Sequence, residues 1–171
     1  MIISHKHRFI FIKSQKTAGT SLELALSQVC GEDDIITPLH SAHEAERVAI
    51  GGLSPRNTDV PLLHHRPSDW MLALRGEGRR AFWEHVDAEE VRAWVSRSIW
   101  RNYYKFSIER NPWDRAISLY YWRLRDQPSK PPMAEFFKSA SRRAISNLHF
   151  YAIDGEVALD VRTHLDPQTE G

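Results

Sequence analysis

Residues 8–21 read Arg-Phe-Ile-Phe-Ile-Lys-Ser-Gln-Lys-Thr-Ala-Gly-Thr-Ser, and this stretch decides the fold that we expect. Its apolar run predicts a short buried strand over Phe9–Lys13, and the helical spacing of the apolar residues that follow predicts a helix over Thr20–Cys30. The turn between them consists of small residues around Lys16. A strand that enters a helix through such a turn leaves unpaired backbone N–H groups at the helix start, where they favour an anion.

The side chains of this loop suit the same ligand. Lys16 adds a full positive charge, and Thr20 and Ser21 add hydroxyl donors, so we expect the loop to hold a phosphate or a sulfate. The alternative explanation is a tight strand–helix turn with a surface lysine. The loop is not a Walker A sequence, because its lysine precedes the glycine of the turn.

A second strand–helix junction repeats the pattern. Tyr104–Glu109 alternates apolar and polar residues and predicts a strand, and Asn111-Pro112 predicts the start of a helix that runs from Trp113 to about Arg125. Arg110 therefore lies at the carboxyl end of a strand, where open α/β sheets bind ligands, and Ser118 lies about two turns into the helix. A guanidinium group suits phosphate, although an ion pair with Glu109 or Asp114 is the alternative. Two such sites predict a ligand with two separated phosphate-like groups.

The remaining patterns predict short elements. Asp87 with Glu90 marks a helix start, and Asp154-Gly155 marks a hairpin between Phe150–Ile153 and Val157–Asp160. The alternation of strands and helices favours an α/β fold with a parallel sheet. We further expect helices over Ser41–Ile50, Ser68–Leu74 and about Met133–Ile145, and loops over Leu53–Pro67 and Pro128–Pro132.

Bulk composition excludes several classes of protein. The chain has 171 residues, of which 42% are hydrophobic and 26% charged, so we expect one domain over residues 1–171. Its net charge of +1 gives no field that would attract nucleic acid. The lone Cys30 excludes a disulfide framework. No signal peptide and no run long enough to span a membrane is found, so we expect a cytoplasmic protein.

The two junctions together resemble the carbohydrate sulfotransferase family, which includes the heparan and chondroitin types and bacterial relatives. The resemblance is carried by Lys16-Thr17-Ala18-Gly19-Thr20-Ser21, by Arg110-Asn111-Pro112-Trp113-Asp114-Arg115, and by Ser118. It extends more weakly from about His7 to Asp160. With the alternation of elements, it leads us to expect an α/β, P-loop-like three-layer fold with a small central parallel sheet flanked by helices.

The resemblance also implies an activity and its ligands. Family members take a sulfuryl group from 3′-phosphoadenosine 5′-phosphosulfate (PAPS) and release 3′-phosphoadenosine 5′-phosphate (PAP). We expect no metal. The resemblance implies that residues Lys16 to Ser21 hold the 5′ end, that Arg110 and Ser118 bind the 3′-phosphate, and that the acceptor is a carbohydrate hydroxyl. Gln15 departs from the family, which often has proline there. The chain also stops soon after Asp154-Gly155, so it is either a short member or truncated at its C-terminus.

Sulfuryl transfer needs a group that neutralises the departing phosphate oxygen and a base that takes the hydroxyl proton. Lys16 suits the first task. For the second we select His85, because it stands just before the helix start at Asp87, whose dipole disfavours a charged imidazole. Its position also resembles that of the family's base. The alternatives are that His85 packs against Trp83 or caps the helix.

The sequence leaves the roles of several other residues undecided. His64 and His65 are the second choice for the base, and His40 and His43 have a spacing that a metal ion could use but no clear third ligand. Most of the six tryptophans fit helical core faces, although Trp70 or Trp83 could stack on a sugar. The alternative functions are a P-loop-type phosphotransferase and a non-catalytic nucleotide-binding module. A strand ending in an Mg²⁺-binding Asp, which the phosphotransferase needs, is not found in the sequence.

Overall fold

A computed structural model describes residues 1–65, 70–71, 74–75, 80–141 and 145–165. Strands and helices alternate along these ranges, and most of the elements are short. The strands are β1 (Ile2–Ser4), β2 (Phe9–Phe11), β3 (Ile35–Ile36), β4 (Tyr104–Arg110), β5 (Ala152–Ile153), β6 (Glu156–Val157) and β7 (Val161–Leu165). The helices are α1 (Gly19–Ser27), α2 (Ser41–Ala49), α3 (Ala88–Trp94), α4 (Arg97–Asn102), α5 (Pro112–Arg123), α6 (Met133–Ser139) and α7 (Leu148–Tyr151), with a 3-10 helix at Leu62–His64.

The central sheet has five strands in the order β3-β1-β2-β4-β7. β2 pairs parallel with β4, and β4 pairs parallel with β7, so these three strands end on the same side of the sheet. β1 runs antiparallel to both β2 and β3. The prediction of a parallel sheet is therefore wrong for the half that contains β1 and β3. The turn at residues 5–8 folds β1 back beside β2, so that the two strands run antiparallel. The α/β class and the small central sheet flanked by helices are confirmed, whereas the three-layer P-loop-like arrangement stays a prediction.

The two faces of the sheet pack against different helices, because side chains alternate along each strand. Ile10 and Ile12 enter a core that α3 and α7 complete. Phe11 and Ile108 enter a second core, against Leu26 of α1. The helix α1 is thereby fixed against the same strand that leads into it, which sets the geometry of the loop between them.

The predicted helices are largely confirmed. α3 begins after Asp87, whose carboxylate accepts a hydrogen bond from the N–H of Glu90 at 2.9 Å. α2 and α5 agree with prediction to within one or two residues, and α1 covers Gly19–Ser27 rather than Thr20–Cys30. The helical spacing of apolar residues predicts that Ile117, Tyr120, Tyr121 and Leu124 are buried. Tyr120 and Leu124 are buried as predicted, but Ile117 is 44% and Tyr121 is 56% exposed.

Some predicted bounds are wrong or cannot be compared. The helix predicted over Met133–Ile145 ends at Ser139, because the backbone of Ala140 is extended. The helix predicted over Ser68–Leu74 lies largely outside the described residues. The predicted hairpin is confirmed in shorter form, since Asp154 (φ 54°) and Gly155 (φ 84°) make the turn between β5 and β6. Among the described helices, none has both the length and the apolarity that crossing a bilayer requires.

Candidate functional site

The loop after β2 leads directly into the N-terminus of α1. The strand ladder continues past β2, where the N–H of Ile12 donates to the carbonyl oxygen of Phe106 at 2.9 Å. Lys16 and Ala18 then both adopt the left-handed conformation with φ of 61°. The N-cap residue Ala18 makes no side-chain hydrogen bond to α1, so the N–H groups of the first turn are suited to an external acceptor. The helix dipole adds partial positive charge at this point, as the sequence predicts for an anion site.

Lys13 lies buried beneath this loop and binds two carboxylates. Its Nζ is 3.0 Å from Glu23 Oε2, and it also pairs with Glu84 Oε1. A Cβ atom at Gly19 would lie only 2.8 Å from Cγ of Lys13. The glycine of the loop is therefore required by the close approach of the lysine beneath it.

Hydroxyl groups connect the loop to β4. Ser14 donates from Oγ to the carbonyl oxygen of Ile108 at 2.6 Å, and Thr17 Oγ1 lies 3.0 Å from Ser14 Oγ. Ser14 and Thr17 are both buried, so their hydroxyls serve the framework of the loop. The hydrogen bond from Ser14 to Ile108 holds the loop close to Arg110, the last residue of β4.

Arg110 and Ser118 lie at the second junction, as the sequence predicts. Asn111 caps α5 by accepting a hydrogen bond from the N–H of Trp113 at 3.0 Å, and Pro112 occupies the first helical position. Arg110 is half-buried, and within the described part of the chain it forms no ion pair with Glu109 or Asp114. The guanidinium group thus remains for a ligand.

Both junctions open into one cavity of about 770 Å³. Most of the predicted site residues line it, although they come from three separate parts of the sequence. Ser21 is the exception, because it lies exposed in the first turn of α1 and is not part of the lining. The lining comprises Lys13, Ser14, Gln15, Lys16, Thr17, Ala18, Gly19, Thr20, His40, His43, Glu84, His85, Arg110, Ser118, Trp122 and Arg125.

His85 lies at the side of this cavity in a defined tautomer. Its Nδ1 is 3.0 Å from the carbonyl oxygen of Lys13, and since a carbonyl only accepts, Nδ1 carries the proton. Nε2 of the neutral ring therefore holds the free electron pair. Burial lowers the pKa of His85, and this effect outweighs the hydrogen bond to Lys13 and the charge of Glu84, which both raise it. Packing against Trp83, the simpler explanation, is also present, with ring centroids 6.3 Å apart.

Glu84 supplies a fixed negative charge beside His85. Partial burial acts to raise the pKa of its carboxyl group, but the hydrogen bond and charge of Lys13 outweigh burial, so the pKa lies below its ordinary value. Glu84 is the acidic residue of the described lining, which otherwise carries the cations Lys13, Lys16, Arg110 and Arg125. Because Glu84 is paired with Lys13, the remaining cations are balanced by no carboxylate of the lining.

The four other histidines considered from the sequence fall into two groups. His64 and His65 do not line the cavity, and the Nε2 atom of His65 lies 3.1 Å from the carbonyl oxygen of Val60. His40 and His43 line it from α2, where His40 caps the helix and His43 lies 3.4 Å from Glu46. Within the residues that the structure describes, no three His, Cys, Asp or Glu side chains form a group that could hold a metal ion.

The sequence missed part of the lining. Trp122 and Arg125 both line the cavity, although the sequence pattern gives neither residue a role in the site, and the side chain of Trp122 is 42% exposed. Trp122 lies four residues after Ser118 on the same face of α5, and Arg125 follows in the turn after the helix, seven residues after Ser118. This spacing could have indicated their role. Lys13 and Glu84 gave no such signal, because they meet only in the folded chain. Trp70 and Trp83, the predicted stacking residues, are half-exposed but do not line the cavity.

Comparison with known proteins gives one match. The family model described as "Sulfotransferase family" matches residues 1–150, which includes both junctions, His85 and the first four strands. No curated protein and no solved structure matches the chain.

Proposed function

Because the chain belongs to the sulfotransferase family, we propose that it transfers the sulfuryl group of PAPS to a hydroxyl of a carbohydrate acceptor. The observation that carries this proposal is the shared cavity. Lys16 after β2, Arg110 at the end of β4 and His85 before α3 line one space of about 770 Å³, a volume typical of small-molecule sites. A donor with phosphate groups at two positions matches two anion-binding junctions better than a ligand with one.

The residues present fit the donor chemically. Lys16, Arg110 and Arg125 offer cationic donors, Thr20 and Ser118 offer hydroxyls, and the first turn of α1 offers backbone N–H groups. In the proposed arrangement the loop from Lys16 to Thr20 holds the 5′ end. Arg110 and Ser118 hold the 3′-phosphate. Ser21 has no place in this arrangement as long as its side chain remains outside the cavity.

Lys16 and His85 then divide the chemistry. As the acceptor oxygen bonds to sulfur and the bridging S–O bond breaks, negative charge grows on the departing phosphate oxygen. The ammonium group of Lys16 stabilises that charge, which is absent from the ground state. Nε2 of His85 takes the proton of the acceptor hydroxyl. The hydrogen bond from Nδ1 to the carbonyl oxygen of Lys13 keeps the ring in the tautomer that can accept it.

Several expectations from the sequence remain part of this proposal. They are PAPS and PAP as nucleotide partners, a metal-independent reaction, a single domain and a cytoplasmic location. The carbohydrate acceptor comes from the resemblance described above, since no residue of the lining specifies a saccharide or a linkage.

A pair of measurements tests the proposal. The protein is titrated calorimetrically with PAP and, separately, with ATP and Mg²⁺. We expect it to bind PAP and not to bind ATP. Incubation with PAPS carrying radioactive sulfur should then label members of a panel of glycosides. Lys16→Met, which keeps the length of the side chain, should abolish labelling. Binding of ATP with Mg²⁺ but not PAP would favour a phosphotransferase, and PAP binding without transfer to any hydroxyl would favour a non-catalytic module.

A further inference from the structure

Trp122 is the aromatic residue of the described cavity lining that the proposed reaction does not use. It lies on α5 one turn after Ser118, and its side chain is 42% exposed. Because the indole ring stays partly exposed beside a charged cavity, the burial of apolar surface does not explain its position. Its neighbours suggest what it does.

Two cations of the cavity lie against the Trp122 ring. Nζ of Lys16 is 5.4 Å from the ring centroid, and Cζ of Arg125 is 5.2 Å from it. Both distances are within the range of cation–π attraction, for which tryptophan is the best partner. Arg123 lies 5.7 Å from the same ring but does not line the cavity.

The ring offsets a local excess of positive charge. The pKa of Lys16 is lowered by its partial burial and by the charges of Arg125 and Arg110. Among the described residues, no carboxylate pairs with Lys16, and the exposed Asp126 lies 3.2 Å from Arg125. Without the ring, mutual repulsion would drive the Lys16 side chain away from Arg110 and Arg125 and toward solvent.

We propose that Trp122 is a positioning residue, which holds Lys16 and Arg125 side by side at the 5′ end of the nucleotide donor. This inference rests on the proposed function and extends it. Ser118, Trp122 and Arg125 follow at intervals of four and three residues. The same face of α5 therefore serves both ends of the donor. Ser118 binds the 3′-phosphate, and Trp122 holds Lys16 of the 5′ loop.

The test is a mutant cycle read by calorimetric titration with PAP. Trp122→Leu removes the π face but keeps an apolar side chain, and it should weaken PAP binding about three- to tenfold. Trp122→Phe keeps a π face and should restore most of the affinity. In a chain that already carries Lys16→Met and Arg125→Met, Trp122→Leu should cause no further loss, because neither cation remains to be held.

A matched control lies on the same helix. Trp113 is 78% exposed and does not line the cavity, so Trp113→Leu should leave PAP affinity unchanged. Equal losses from Trp122→Leu in both backgrounds would show that the ring contacts the nucleotide itself and would overturn the inference, as would no loss in either. If the unsubstituted protein fails to bind PAP, the proposed function and this inference both fall; if it binds PAP and the losses add, only the inference falls.

Discussion

His85 donates a hydrogen bond from Nδ1–H to the carbonyl oxygen of Lys13, and burial lowers the pKa of its ring. The proposed base must be neutral to accept a proton. The transfer rate should therefore stay constant below the ordinary histidine pKa of about 6.5 and fall only as pH drops through the lowered pKa of His85. His85→Gln should lose this dependence together with most of the rate. A pH–rate profile measures both. His64 lies outside the cavity lining, so His64→Gln should leave the pH–rate profile unchanged. If His64→Gln instead loses the pH dependence and most of the rate, His64 and not His85 is the base.

The same shift affects stability. A depressed pKa means that the unfolded chain binds the proton more readily than the folded one does. The stability that His85 contributes is therefore present above the ordinary pKa and decreases as pH falls toward the lowered value. Thermal unfolding from about pH 7.5 to about pH 5 should show a smaller decline for His85→Gln than for the unsubstituted protein.

Gly19 is a second residue whose identity follows from its surroundings. Its missing Cβ would lie 2.8 Å from Cγ of Lys13, and Lys13 cannot easily move because Glu23 and Glu84 hold its Nζ. Gly19→Ala should lower the free energy of unfolding by about 1–3 kcal/mol and weaken PAP binding. Gly31→Ala is the control, since its Cβ would meet only Lys6, at 3.4 Å. Chemical denaturation that ranks the two variants equally would contradict this explanation of Gly19.

At the scale of elements, the loop after β2 depends on its bond to β4. Ser14→Ala removes the donor to the carbonyl oxygen of Ile108, which then lies buried without this partner. We expect a loss of about 1–3 kcal/mol in the free energy of unfolding, and weaker PAP binding because the two junctions are no longer held together. Ser139→Ala, which removes an exposed hydroxyl bond within α6, should cost about 0.5 kcal/mol or less. Unchanged PAP affinity in Ser14→Ala would mean that the bond is structural only.

The elements also show which parts of the fold can be predicted from sequence. β2, α1, β4 and α5 were predictable because each junction carries local signals, such as the apolar run of Phe9–Lys13 and the Asn111-Pro112 helix start. β1 and β3 have only three and two residues, too few for any period to appear, and they exist because they pair with β2 or with each other. β7 forms likewise through parallel pairing with the distant β4.

The candidate site divides in the same way. Lys16, Arg110 and Ser118 could be found because each belongs to a local strand–helix pattern. Lys13 and Glu84 could not, since their contact joins residues 71 positions apart and no periodicity records it. Trp122 was not found either, because an apolar residue on a helix fits a core face equally well, and the cations around its ring are brought there only by the fold.

At the scale of the whole molecule, Glu23 connects the elements around the site. Its carboxylate lies fully buried on α1, 3.0 Å from Lys13 Nζ and 3.4 Å from Nη2 of Arg47 on α2. Glu23→Gln keeps the shape but removes the buried charge that Lys13 and Arg47 share. Of the described carboxylates, Lys13 then keeps only Glu84, and Arg47 keeps only Glu44. Both are less buried than Glu23, so the change should cost about 3 kcal/mol in the free energy of unfolding. Glu32→Gln removes an exposed pair with Arg56 and should cost about 1 kcal/mol or less. Similar losses in the two variants would show that the buried cluster does not support the fold.

The central claim is that the two junctions hold opposite ends of one nucleotide. It is tested most directly by comparing the affinities for PAP and for adenosine 5′-phosphate, which lacks the 3′-phosphate, in calorimetric titrations. The unsubstituted protein should prefer PAP, and Arg110→Met should reduce that preference roughly tenfold or more. Lys16→Met should lower the affinities for both ligands by a similar factor, so that the ratio of the two affinities stays the same. A PAP preference that survives Arg110→Met unchanged would contradict the account.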